Sequence, residues 1–150
     1  MRIGSFKNEI FIRAEVATVM NVVSDYSQQQ IFHPLIIKVV QATTIPAGIL
    51  KRYFITDQLR WGPFKFKIRY RADILSATAD TVYAEAYQFP ATHISLISEV
   101  KPAKDGILLH ETFTLKAPKL FFDYAFRQAQ ISHAETLHRI KEYVEGVEPR

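Results

Sequence analysis

Phe64, Phe66, Ile68, Tyr70, Ala72 and Ile74 alternate strictly with Lys65, Lys67, Arg69, Arg71 and Asp73. A period of two over that length predicts a β-strand with one face in a core and the other in water. Similar runs cover Ser5 to Ala14, Leu35 to Thr44, Ile49 to Trp61, Thr81 to Phe89, His93 to Val100 and Ile107 to Lys116. Turn signals separate them, at Pro46-Ala47-Gly48, Gly62-Pro63, Pro90-Ala91 and Lys101 to Gly106. Between the first two runs the period changes. Val16, Val19, Met20 and Val23 recur at helical spacing, predicting an amphipathic helix from Glu15 to Asp25 with Glu15 at its positive end. A second short helix is expected within Tyr26 to Pro34, stopped at His33 because a residue before proline avoids helical angles.

The longest periodic segment runs from Pro118 to Glu145. At about 100° per residue, Phe122, Phe126, Ala129, His133, Leu137, Ile140 and Val144 fall within an arc of about 80°. Arg127, Glu135, His138, Glu142 and Glu145 lie opposite and are expected in water. Pro118 suits the first helical turn and Gly146 the position just past the end. At about 1.5 Å per residue the helix is roughly 42 Å long, enough to cross a small domain. Strand, helix, short helix, six strands, long helix is an α+β order. It predicts one domain over residues 1–150, a curved antiparallel sheet of about seven strands wrapped around the long C-terminal α-helix, with two short helices after the first strand.

Composition narrows the function classes. The chain has 48% hydrophobic residues, enough for a substantial core, and no cysteine, which removes disulfide and thiolate chemistry. No apolar run approaches the ~18 residues of a membrane span, and Met1 to Phe6 lacks the apolar centre of a secretory signal. A cytoplasmic protein is expected. The net charge of +4 permits attraction to anionic partners without demanding it. Lys65, Lys67, Arg69 and Arg71 form a basic row whose ordinary meaning is a solvated strand face. It does not point to nucleic acid, and it leaves a transient membrane-surface contact open. Eleven Phe and seven Tyr either fill the core or line a cavity.

Several residues carry candidate chemistry. His133 is the one polar member of the apolar stripe on the long helix. It is either a core histidine bonded to a carbonyl or a group that orients a ligand or moves a proton. Glu111 falls in register with Leu109, Phe113 and Leu115 and so points inward, towards that helix. A desolvated carboxyl there would serve as acid, base or ligand anchor, or as half of a structural ion pair. Asp57 shares parity with Tyr53, Ile55, Leu59 and Trp61, and a solvated carboxylate at the hairpin end is expected. Tyr53 and Tyr70 offer apolar area with one hydrogen bond each. Ala84 and Ala86 leave room beneath the helix. No metal site is expected: His133 and His138 are five apart, about 140° around the helix, and cannot share an ion.

Several stretches together resemble the START/Bet v 1-like (SRPBCC) superfamily, and within it the polyketide cyclase/dehydrase-like lipid-binding group. Phe11 to Val16 followed by Asp25-Tyr26 is similar to its strand-to-helix opening. Phe32 to Ile36, Trp61 to Phe64, and Ala117-Pro118 leading to Ala129 and His133-Ala134 resemble its second-strand approach, central hairpin and last helix. The resemblance implies the helix-grip fold, with a deep cavity between sheet and terminal helix that takes lipids, polyketides or aromatic compounds, and it implies no cofactor. The inward residues expected to line that cavity are Tyr53, Ile55, Phe66, Ile68, Tyr70, Ala84, Ala86, Leu96, Glu111, Phe113, Phe126, Ala129 and His133. Binding or transport of a small hydrophobic ligand follows first. The alternative is a cyclase or dehydratase-like enzyme using Glu111 and His133 as acid/base groups. Ligand identity and oligomeric state stay open.

Overall fold

The computed structural model describes residues 1–146. Each alternating run becomes a strand: β1 (Arg2–Ile12), β2 (Ile36–Gln41), β3 (Lys51–Trp61), β4 (Phe64–Ala77), β5 (Thr81–Gln88), β6 (Thr92–Ala103) and β7 (Gly106–Ala117). Among the described residues they form one antiparallel sheet in the order β1-β7-β6-β5-β4-β3-β2. Strands β2 to β7 follow one another as a meander, because short turns bring sequential strands side by side. The first strand closes the sheet at its far edge by pairing with the last, in a register that sets Phe6 opposite Phe113. Register shifts at Ile36/Lys38 and Ile74/Ser76 interrupt the ladders, and such bulges bend a sheet.

Helices α1 (Val16–Val23), α2 (Gln29–Phe32) and α3 (Lys119–Val144) pack on the concave face, with a 3₁₀ turn at Tyr26–Gln28 before α2. The two short helices and the long one occupy the predicted places. Pro118 stands one residue earlier than expected, as the N-cap of α3. Gly146 follows the helix at φ 77°, a backbone angle that costs glycine little. At the other end of α3, a side chain at Gly4 would come within 2.7 Å of the Phe122 ring, so its absence lets β1 lie against the helix.

Two apolar clusters hold these layers together. One joins Ile12, Ile74, Val82, Val100 and Leu109 to Val19 of α1 and Leu137 and Ile140 of α3. The other gathers Phe113, Leu115, Ala117 and Phe122, with Phe6 and Phe126 against it. Each fully buried aliphatic or aromatic side chain contributes about 1.5–3 kcal/mol. Helix and sheet are thus clamped at two places, and the cavity lies where the clusters part.

Four positions differ from the simple pattern. Asp73, on the water-facing parity of β4, is buried, because Arg52 binds both its oxygens (2.7 and 3.0 Å) and Arg71 reaches it at 3.3 Å. Glu145 is turned inward rather than into water: it accepts the Arg13 N–H (2.9 Å) and pairs with Lys141 Nζ (2.8 Å). The buried stripe of α3 is also wider than its apolar positions. Ser132 and Thr136 are buried too, their hydroxyls donating to the carbonyls of Ala129 (3.3 Å) and Ser132 (2.7 Å).

Candidate functional site

The space between sheet and α3 holds two adjoining chambers. The inner one, about 100 Å³, is bounded by Ala84, Ala86 and Ser98 on the sheet and by Tyr26, His33 and Thr136 on the helical side. Alanines at alternate positions of β5, with Ala72 of β4 paired to Ala86, make this space. The outer chamber, about 480 Å³, is walled by Phe66, Ile68, Leu115, Phe121, Ala125 and Ala129. Its size lies in the ordinary range for small-molecule sites, roughly 300–1,000 Å³. His33, Tyr70, Ile94, Phe113 and His133 border both chambers and form the neck between them.

The mouth of the outer chamber is spanned by an aromatic contact. Trp61, at the β3–β4 hairpin, stacks on Tyr124 of α3 at 5.0 Å between centroids, and Tyr124 Oη donates to the Arg60 carbonyl at 3.0 Å. Around this end Phe64, Phe89 and Leu120 are 73%, 90% and 83% exposed. Apolar side chains that open to water beside a cavity form a natural contact patch.

The neck and the inner chamber bring several titratable groups close together. Glu111 points inward from β7 and is buried; its Oε2 accepts from Ser98 Oγ at 2.9 Å. Its Oε1 is buried with no hydrogen-bond partner and lies 3.7 Å from His133 Nδ1, beyond hydrogen-bond reach. His133 is packed between Phe113 (4.8 Å), His33 (5.5 Å) and Phe6 (6.2 Å). His33 accepts the Leu35 N–H on Nδ1 at 3.2 Å. Burial, reinforced by neighbouring His133 and Arg139, pushes its pKa down to about 3, so the ring is neutral at ordinary pH. On the other side of the neck, Tyr70 Oη donates to Asp57 Oδ1 at 3.2 Å. Burial raises Asp57 to about 6 against the lowering pull of that bond and of His133, and it raises the Tyr70 phenol well above its usual value.

Of the residues expected to line the cavity, Ile55, Phe66, Ile68, Tyr70, Ala84, Ala86, Leu96, Glu111, Phe113, Ala129 and His133 border one chamber or both. Tyr53 does not. It has inward parity, but it sits further along β3, fully buried against Tyr26, with its hydroxyl donating to Asp25 Oδ1 at 3.2 Å. Phe126 is also outside, packed on Phe6 and Phe122 where the second cluster is closed. Asp57 is not the solvated carboxylate expected, since it borders the outer chamber under Tyr70. His33, Ser98 and Tyr26 had no role beyond the backbone in the pattern of the sequence, yet all three border the inner chamber. The only signal for His33 was a helix stop before Pro34, which fixes its backbone and not its side chain. No three His, Asp or Glu side chains converge as metal ligands among the described residues.

No family model matches the sequence, and no curated protein sequence matches it. Solved structures do match. The di-domain ARO/CYC protein StfQ from the steffimycin biosynthetic pathway superposes with a TM-score of 0.77 at 14% identity, over 96% of this chain and 51% of StfQ. The di-domain ARO/CYC protein BexL from the BE-7585A pathway gives 0.75 at 11% identity, over 98% of this chain and 51% of BexL. The chain therefore spans about half the length of either protein. A START superfamily protein from Mycobacterium smegmatis gives 0.74 at 12% identity, over 96% of this chain and 99% of that one. At such identities the likeness is one of fold. The chain has the helix-grip architecture of the START/Bet v 1-like proteins, as the sequence resemblance implied, and among the described residues no helix is long and apolar enough to cross a membrane.

Proposed function

We propose that this protein binds and carries a small hydrophobic ligand between its sheet and α3. The observation behind this is the outer chamber of about 480 Å³ with largely apolar walls, adjoining a small second chamber bordered by Glu111 and Ser98. Ligand burial would supply about 25 cal/mol per Å² of apolar surface, and the few polar groups at the neck would set orientation. Native mass spectrometry of freshly purified protein should show a retained small molecule, or the protein should take up Nile red in competition with added hydrophobic compounds. Failure of both would discard the carrier function.

Glu111 and His133 favour a second function, that of a cyclase or dehydratase-like enzyme. Their side chains face each other at 3.7 Å beside the cavity, within range for proton transfer once a substrate carbonyl or enol bridges them. Glu111→Gln and His133→Ala should then each abolish turnover while binding persists; full activity in both variants would remove the enzyme.

The exposed Phe64, Phe89 and Leu120, with Lys65 and Lys67 nearby on the hairpin, support transient contact with an anionic membrane surface during ligand exchange. Co-sedimentation with anionic vesicles should weaken with salt and in Lys65→Ala/Lys67→Ala. Salt-independent binding would contradict it.

A further inference from the structure

We infer that the cavity selects ligands by charge: it accepts a neutral or cationic molecule that offers a hydrogen-bond donor at its inner end, and it rejects carboxylates and other anions. The inference rests on the proposed carrier function and names the ligand class of that site.

The first observation is the free oxygen of Glu111. A buried carboxyl oxygen without a partner is costly, on the order of 1–3 kcal/mol, and nearly all such atoms in folded proteins find one. Glu111 Oε2 is satisfied by Ser98, whereas Oε1 has no donor within the protein. Because Glu111 borders the inner chamber, a ligand hydroxyl or ammonium entering that space meets an acceptor in need of a donor.

The second observation is the charge of the lining. The acidic residues Glu111, Glu85 and Asp57 stand in the lining, and no lysine or arginine borders either chamber among the described residues. His33 is held neutral by its burial. His133, the remaining basic group, already faces Glu111. An anionic head entering this space would lose its water and gain no cation, a desolvation cost that apolar contact elsewhere in the ligand does not offset. The basic residues Arg60, Lys65 and Lys67 belong to the hairpin at the mouth. They are placed to attract anions to the surface and not to hold them inside.

The two observations are independent and point the same way. An acceptor without a donor recruits O–H or N–H, and an acidic lining without lysine or arginine excludes O⁻. The expected ligand is an alcohol, phenol or amine with an apolar body, the body in the outer chamber and the donor beside Glu111.

Binding of a naphthol, its methyl ether and the corresponding naphthoate tests this at constant ring size, followed by calorimetry or by fluorescence of Trp61, the chain's one tryptophan. The naphthol should bind about tenfold more tightly than the ether, which lacks the donor, and at least about tenfold more tightly than the naphthoate. Glu111→Leu should bring naphthol down to the level of the ether. Should that variant fail to fold, Glu111→Gln, which adds an amide donor, should narrow the discrimination against naphthoate by about tenfold. Equal binding of naphthol and ether, or tighter binding of naphthoate, would overturn charge selection while leaving the carrier function standing. If none of the three binds while the protein still takes up Nile red, charge selection alone falls; if Nile red and native mass spectrometry fail as well, the carrier function falls with it.

Discussion

The inner and outer chambers share five neck residues and one pair of walls, yet they differ in size and in the groups set into them. The outer chamber is several times larger, bounded by aromatic and aliphatic side chains, and bridged at its mouth by Trp61 on Tyr124. The inner chamber is small and owes its space to Ala72, Ala84 and Ala86, and Glu111, Ser98, Thr136, His33 and His133 are among the residues that border it. Magnitudes separate their roles. Covering some 200 Å² of ligand surface in the outer chamber is worth roughly 5 kcal/mol before the costs of association. One hydrogen bond to Glu111 is worth about 1–3 kcal/mol. In the proposed carrier the large chamber would therefore supply affinity to any apolar body of suitable size, and the small one would decide which chemical group is accepted.

Four substitutions would break or sharpen this contrast. The largest effect is expected from Ala84→Phe, which fills the inner chamber. Ligand affinity should fall at least about tenfold with the far-UV dichroism unchanged; unaltered affinity would remove β5 from the binding site.

His33→Asn comes next and reports on the neck through pH. With its pKa lowered to about 3 in the fold, against about 6.5 unfolded, His33 binds fewer protons folded than unfolded between those values. Its contribution to stability is complete above about pH 6.5 and is lost as pH falls towards 3. Asparagine keeps an acceptor for the Leu35 N–H and does not titrate. Urea melts at pH 6.5 and 4.5 should therefore show an acid-induced loss smaller in His33→Asn than in the parent, by on the order of 2 kcal/mol. Equal losses would mean that His33 is not desolvated.

Asp57 carries the opposite sign. Raised to about 6, it binds more protons folded than unfolded, so its contribution falls as pH climbs from about 4 to 6. Asp57→Asn should gain on the order of 1 kcal/mol over the parent at pH 7, after allowance for solvent screening, and nothing at pH 4. A pH-independent difference would point to packing instead. The smallest effect belongs to the mouth: Tyr124→Phe removes one exposed hydrogen bond to Arg60 and should cost about 0.5–1 kcal/mol in thermal stability without changing ligand preference. A change in preference would show that the mouth also selects.

Tyr53 and Tyr70 show where sequence reasoning stops. They lie on paired strands with inward parity, Tyr53 opposite Ala72 and Ile55 opposite Tyr70. Parity alone makes them equivalent candidates. Two residues along the strand separate a closed core, where Tyr53 meets Tyr26, from the neck, where Tyr70 meets Asp57. The same holds on α3, where Phe126 closes the second apolar cluster and His133, two turns on, borders the cavity. Glu111 was legible as an inward carboxyl, because alternation along β7 is regular. That Ser98 would hold one of its oxygens and leave the other free was not, since β6 meets it only through the sheet register.

The sequence by itself determined the periods: two along the strands, 3.6 along α1 and α3, and turns where glycine and proline interrupt them. Those periods decide which way each side chain points, because direction depends on neighbours in the chain. Only the tertiary structure decided the distances. It set β1 beside β7, parted the apolar core into two clusters, brought the His33 ring to within 5.5 Å of the His133 ring, and left Glu111 Oε1 buried without a hydrogen-bond partner. Sheet curvature and the placement of α3 set such distances, and both arise from packing summed over residues far apart in the chain.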